Sequence, residues 1–180
     1  MAYQSVAEIL ESLDETRARL QKRVEGLSLA QEKFQPSPDA WSVAEIVEHL
    51  TIFEERMLRI FAMMVKKAES ATAQAAGQSF RPVSLDQFWE RSQREKYVAP
   101  ETVRPSGNVT VADALARMRR ARAELHELRP KLESRDLSIM TYPHPAFGPL
   151  DLYQWLALIG MHEDRHLNQI ESVIASPEYK

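Results

Sequence analysis

The chain has 180 residues, 44% of them hydrophobic and 27% charged, with a net charge of −3. One globular domain with a sizeable core accounts for that composition, and the interspersed charge leaves no basic stripe of the kind that neutralises nucleic-acid phosphates. The absence of cysteine excludes disulfides, thiolate metal sites and cysteine nucleophiles, so any metal must be held by nitrogen and oxygen. No apolar run approaches the roughly 20 residues of a membrane span and residues 1–20 show no signal peptide, so a cytoplasmic location is expected.

The first predicted helix covers residues 5–25. Ser5 and Glu8 form a capping-box start, and Val6, Ile9, Leu10, Leu13, Arg17, Leu20 and Val24 recur at helical spacing before Gly26 stops it. Pro36 and Pro38 interrupt the connection 27–41, where Leu27, Leu29 and Phe34 suit a short helical turn at the bundle end. A second helix is predicted over 42–74. Ser42 and Glu45 make its capping box, Trp41 stands in the staple position, and Ile46, Leu50, Phe53, Met57, Ile60, Phe61 and Met64 form the inward stripe.

Residues 75–108 read as irregular, with a short helix over Ser84–Gln93 carrying Phe88 and Trp89. A connection that long either lids a pocket or crosses from one end of a bundle to the other. The third long helix is predicted over 110–133, with a kink or stop near Pro130. Its arginines Arg117, Arg119, Arg120 and Arg122, with Glu124 and Glu127 nearby on an amphipathic helix, read as a solvated face; His126 falls off the inward stripe and reads as surface. A second connection over 134–150 holds His144 between two prolines, where it can line a pocket or bond locally. Asp151 and Gln154 then cap a fourth helix running to about Ala175. Four long amphipathic helices with almost no strand signal imply an all-α four-helix bundle in one domain, 1–180, with long crossover connections.

The last helix contains His162-Glu163-Asp164-Arg165-His166, and two histidines four apart share one helical face. Trp155, Leu158, Ile159, Ile170 and Val173 place that face toward the core. His49 falls on the inward face of the second helix and supplies a third imidazole. Three histidines with an open fourth position suit a divalent metal that activates water or a thiol. Zinc or nickel is expected first, with iron or manganese as alternatives; imidazole suits all of these and cobalt, and affinity order alone does not choose among them. The same five residues match the H-E-x-x-H metalloprotease pattern, but Gln169 and Ser172 stand where that pattern's extension needs Gly and His. Glu163 also points about 100° around the helix from His162. Glu45 and Glu163 are candidates for carboxylates that orient the imidazoles. Arg165 is expected to pair with a carboxylate on a neighbouring helix, and Gln169 to bond within the site or satisfy core polarity.

Three segments together resemble the DinB/YfiT-like family, in particular its DinB-like branch: Trp41-Ser42-Val43-Ala44-Glu45-Ile46-Val47-Glu48-His49-Leu50, then His144-Pro145-Ala146-Phe147-Gly148-Pro149-Leu150, then His162 through Ile170. The resemblance implies a four-helix bundle of unusual connection order and a metal on His49, His162 and His166. It also implies a homodimer acting on a small molecule, either as a metal-dependent hydrolase or as a transferase using a low-molecular-weight thiol of the bacillithiol or mycothiol type. The other readings are a metal-stabilised structural protein and a non-catalytic ligand-binding or interaction module.

Overall fold

The computed structural model describes residues 2–70, 80–86, 88, 90 and 98–180. Four long helices dominate it: α1 (Val6–Val24), α3 (Val43–Ser70), α4 (Val111–Glu133) and α5 (Leu152–Ile174), with a short α2 (Leu29–Lys33). Their ends follow the predicted signals. Ser5 accepts the Glu8 amide at 3.1 Å, Thr110 accepts that of Asp113 at 3.1 Å, and Asp151 and Gln154 close a reciprocal capping box. Gly26 takes φ +80 just beyond α1, a left-handed turn that glycine enters without steric cost. Pro130 lies within the last turn of α4 without ending it. The end of the second predicted helix, 71–74, and Trp89 lie outside the described residues, as does most of the helix expected over Ser84–Gln93.

Two small antiparallel pairs were not signalled by alternation of polar and apolar residues. β1 (Ala2–Tyr3) pairs with β2 (Val83–Ser84), and β3 (Thr141–His144) pairs with β4 (Gly148–Asp151). The second pair organises the connection predicted over 134–150: His144 sits opposite Gly148, whose φ of +77 makes the turn. The Trp155 indole donates to the Tyr142 carbonyl at 2.9 Å and fastens this hairpin to α5.

Side-chain registers give the helix directions. Leu13 meets Gly160, Arg17 meets Glu163 and Arg23 meets Glu171, so α1 and α5 run parallel. Thr51 meets Ala114, Glu54 meets Arg122 and Ala68 meets Arg135, so α3 and α4 are parallel too. His49 approaches His166 while Phe53 approaches His162, which makes α3 and α5 antiparallel. Around the bundle the order is α1, α5, α3, α4, so the chain's consecutive long helices α1 and α3 face each other diagonally. Two parallel neighbours cannot be joined by a tight turn. The long link between α3 and α4 therefore has to travel the length of the bundle, which is the crossing role foreseen for it.

The apolar core falls into two clusters. One gathers Leu10, Leu13, Met57, Phe61, Leu125 and Leu156 toward one end; the other gathers Leu20, Ile46, Val47, Met118 and Ile170 toward the opposite end. Between them lies a charged layer to which each long helix gives one residue. Arg17 is 8% exposed, Glu54 1%, Arg122 7% and Glu163 1%. Arg17 Nε donates to Glu163 at 2.7 Å and its guanidinium also bonds Glu54; Arg122 donates to Glu54 at 2.9 Å and to Asp14 at 2.8 Å. Burial pulls the Arg17 pKa down, but the charges of Glu163 and Glu54 outweigh it and hold the guanidinium above its ordinary value. Arg122 thus departs from the solvated face expected of its cluster: it is one turn beyond Met118 on the inward stripe, and two acids await it there. Arg117 follows the expectation and pairs with Glu55 at 2.7 Å on the flank.

Candidate metal centre

Beside the charged layer, the antiparallel pair α3 and α5 brings three imidazoles together. His49 Nε2 and His166 Nε2 each lie 3.2 Å from His162 Nε2, and one nitrogen from each ring falls within 4.8 Å of the others. These are the three residues that the sequence singled out. Their backbone positions follow from two facts: the i,i+4 spacing stacks His162 on His166, and the antiparallel register sets His49 across from both.

Two of the rings are oriented by hydrogen bonds on their outer nitrogens. His49 Nδ1 lies 2.7 Å from the Val103 carbonyl, so that nitrogen carries the proton and Nε2 presents a lone pair. His166 Nδ1 lies 2.8 Å from Gln169 Oε1 with the same result. His162 Nδ1 is buried without a partner among the described residues. Two inward lone pairs now confront His162 Nε2, which can donate a proton to only one of them. A cation resolves the conflict for all three. Tetrahedral zinc with Zn–N of about 2.05 Å sets ligand nitrogens about 3.3 Å apart, close to the 3.2 Å of two of the three pairs, while the third pair lies within 4.8 Å. The donor set therefore fits a divalent metal.

The rings are also held neutral, as ligation requires. Burial lowers the pKa of His49, lowers that of His162 well below its usual value, and pushes His166 down to about 3. His144 is likewise pushed by burial from 6.5 to about 4. The unfolded chain takes up protons on these groups as pH drops below about 6.5, whereas the native protein does not. The stability they contribute is complete above that pH and is lost progressively as pH falls toward 4. Urea midpoints of metal-free protein should therefore decline from pH 7.5 to pH 5, and a flat profile would refute the assignment.

The two carboxylates expected to orient imidazoles do something else. Glu45 accepts the Ser42 amide at 2.8 Å and the Gln35 amide at 2.9 Å, completing the helix cap one turn short of His49. Glu163 turns away from the cavity into the charged layer, which also removes the metalloprotease reading of H-E-x-x-H. The orienting acceptors are a backbone carbonyl and an amide instead. Gln169 was in view; Val103 was not, because a carbonyl carries no sequence signal. The Val103 segment is pinned by buried Glu48, which accepts Ser106 Oγ at 2.7 Å and the Gly107 amide at 3.0 Å. Glu48 stands beside His49 in sequence and could have been noticed as an acid on an otherwise apolar turn.

A cavity of about 1250 Å³ opens over the triad. Trp41 walls it with its ring centroid 4.9 Å from that of His49, and Phe53 covers His162 at 4.2 Å. Residues 98–100 and 102–105 of the long link also line it, so this link both crosses the bundle and roofs the site. His144 and Arg165 line the cavity as well. His126 lies outside it, half-exposed and bonded to Asp14 at 2.9 Å, as its off-stripe position predicted.

A helical bundle with parallel neighbours and a three-imidazole cluster under an open cavity defines a class of small bundle proteins suited to a divalent metal. The chain belongs to the DinB superfamily, whose family model matches residues 12–170. It is 26% identical over 166 residues to the uncharacterised protein YuaE of Bacillus subtilis (strain 168), covering 89% of this chain and 93% of that one. Among solved structures it is similar to YfiT from Bacillus subtilis, described as a probable metal-dependent hydrolase with an unusual four-helix bundle topology. There the TM-score is 0.62 at 16% identity, over 93% of this chain and 85% of that one. It is also similar to the four-helix bundle protein TT2238, with a TM-score of 0.59 at 22% identity over 93% and 99% of the two chains. No helix among the described residues is long and apolar enough to cross a membrane.

Proposed function

We propose that the protein is a metal-dependent enzyme acting on a small molecule, a hydrolase or a thiol S-transferase, with His49, His162 and His166 as the metal ligands. The observation that carries this reading is the pair of 3.2 Å separations between imidazole nitrogens at the floor of a 1250 Å³ cavity. A site that only stabilised the fold would be closed by a fourth protein ligand, whereas among the described residues the metal-binding group contains three. The description of YfiT as a probable metal-dependent hydrolase supports the same reading. A divalent ion held there supplies Lewis-acid activation of a water or a thiol.

The chain's own residues supply the setting. Val103 and Gln169 fix the tautomers of His49 and His166, Trp41 and Phe53 pack against the rings of His49 and His162, and the cavity admits the reactant. Elemental analysis of tag-free protein tests the reading. About one metal per chain is expected, lost in His49→Ala and in His166→Ala. Protein that takes up no metal after incubation with zinc, nickel and manganese would overturn it.

A further inference from the structure

The cavity extends away from the triad along α3 and α5. Arg56 follows His49 by seven residues, and Trp155 precedes His162 by seven; in antiparallel helices these steps lead the same way. Seven residues are two turns, about 10 Å along the axis. Phe53, Leu158 and Met161 line the stretch between, so it is apolar. What stands at its far end is polar and specific.

His144 stands there on the β3–β4 hairpin. Its Nδ1 accepts two backbone amides, from Ala146 at 3.0 Å and from Phe147 at 3.2 Å. A nitrogen that accepts must lack a proton, so the proton resides on Nε2. The ring is fixed between Phe147, stacked at 4.4 Å and 16°, and Trp155 at 5.0 Å. Burial keeps it neutral near pH 7. Among the described residues nothing accepts from Nε2, yet that atom is not among those sealed from solvent. It is a single donor, locked in tautomer and orientation, on a residue lining the cavity. Arg56, half-buried on α3, lines the same end. It makes no hydrogen bond or ion pair among the described residues, and its neighbour Glu55 is committed to Arg117. The acids that line the cavity, Asp39 and Glu45, belong to the triad end, and Glu45 is occupied by its helix cap.

A neutral donor and a cation beside an apolar stretch of the cavity, with no carboxylate lining that end among the described residues, recognise an oxyanion. We propose that this end is a carboxylate subsite, in which the His144 imidazole N–H and the Arg56 guanidinium hold the anionic tail of an elongated, largely apolar substrate. The substrate's reactive head would reach the triad about 10 Å away, two helical turns along the floor. The identity of the head rests on the metal-site reading; the tail subsite does not.

Calorimetric titration of metal-free protein with 4-phenylbutanoate and with 4-phenylbutan-1-ol separates the two. The acid is expected to bind about tenfold tighter than the alcohol, the scale of one charge-assisted hydrogen bond. Arg56→Gln should lower the acid to the affinity of the alcohol while leaving the alcohol unchanged, which shows the cavity intact. His144→Phe should weaken the acid similarly. In the imidazole nitrogen spectrum of the parent, His144 should be a neutral Nε2–H tautomer whose signal moves with the acid and not with the alcohol. Equal affinities in the parent, including no binding of either, overturn the subsite. So does a preference for the acid that survives both substitutions. Protein that prefers the acid but takes up no zinc would overturn the metal reading alone.

Discussion

Glu54→Leu should cost about 3–5 kcal/mol of folding stability, the range for removing one member of a buried ionic group. Glu54 is 1% exposed and accepts from both Arg17 and Arg122. Its loss leaves two buried guanidinium groups facing only Glu163 and the half-exposed Asp14. Neither arginine can shed its proton to escape, because guanidinium stays charged throughout the accessible pH range. Native stability is about 5–15 kcal/mol in total, so the variant should melt on the order of 10 °C below the parent. Thermal unfolding by circular dichroism reads this directly. The double variant Arg17→Met, Glu54→Leu removes a positive and a negative charge together, and should recover part of the loss; strict additivity of the two single effects would show that the layer is not coupled.

The second large effect concerns the triad. Saturating metal at about a thousandfold above its dissociation constant should stabilise the native state by about 4 kcal/mol, provided the unfolded chain does not bind it. That gain should vanish in His162→Leu, and the same variant should lose little or nothing when metal is absent. Metal-free, the parent holds His162 with an unpartnered Nδ1 and with Nε2 facing two lone pairs. Leucine removes those polar atoms from a site flanked by Phe53 and apolar residues of α5. A conserved metal response in His162→Leu would show that the ligands lie elsewhere. A large metal-free loss would show that the ring's role is packing.

Both effects mark where the chain announces its structure and where it does not. Helical boundaries were legible because capping residues act within one turn: Ser5, Thr110 and Asp151 bond amides three residues on. The three imidazoles were legible because helical periodicity carries direction as well as location. The charged layer was only half legible. Arg17 lies on the apolar stripe of α1, which hinted at burial, but Arg122 sits in a run of arginines of which it alone is buried in that layer. Charge pattern cannot distinguish that case from a solvated face without the acids on α1, α3 and α5. Glu163 was misread for the same reason, since its proximity to His162 in sequence says nothing of the arginine facing it from α1. The β3–β4 hairpin escaped because Pro143, Pro145 and Pro149 mask any alternation, and its pairing is decided by its seat on Trp155.

The parallel seating of α1 against α5 carries a consequence for how the molecule comes into being. Arg17 and Glu163 are separated by 146 positions, and His49 and His162 by 113. A ribosome adding about 5–20 residues per second emits His49 many seconds before its partners. Until the final helix emerges, both apolar clusters lack one wall and the buried arginines lack an acid. Contacts of such sequence span favour slow, late closure over stepwise growth from one end. The nascent chain should therefore stay protease-sensitive until α5 is out, then become resistant in a single step that creates the histidine cluster and the folded bundle together.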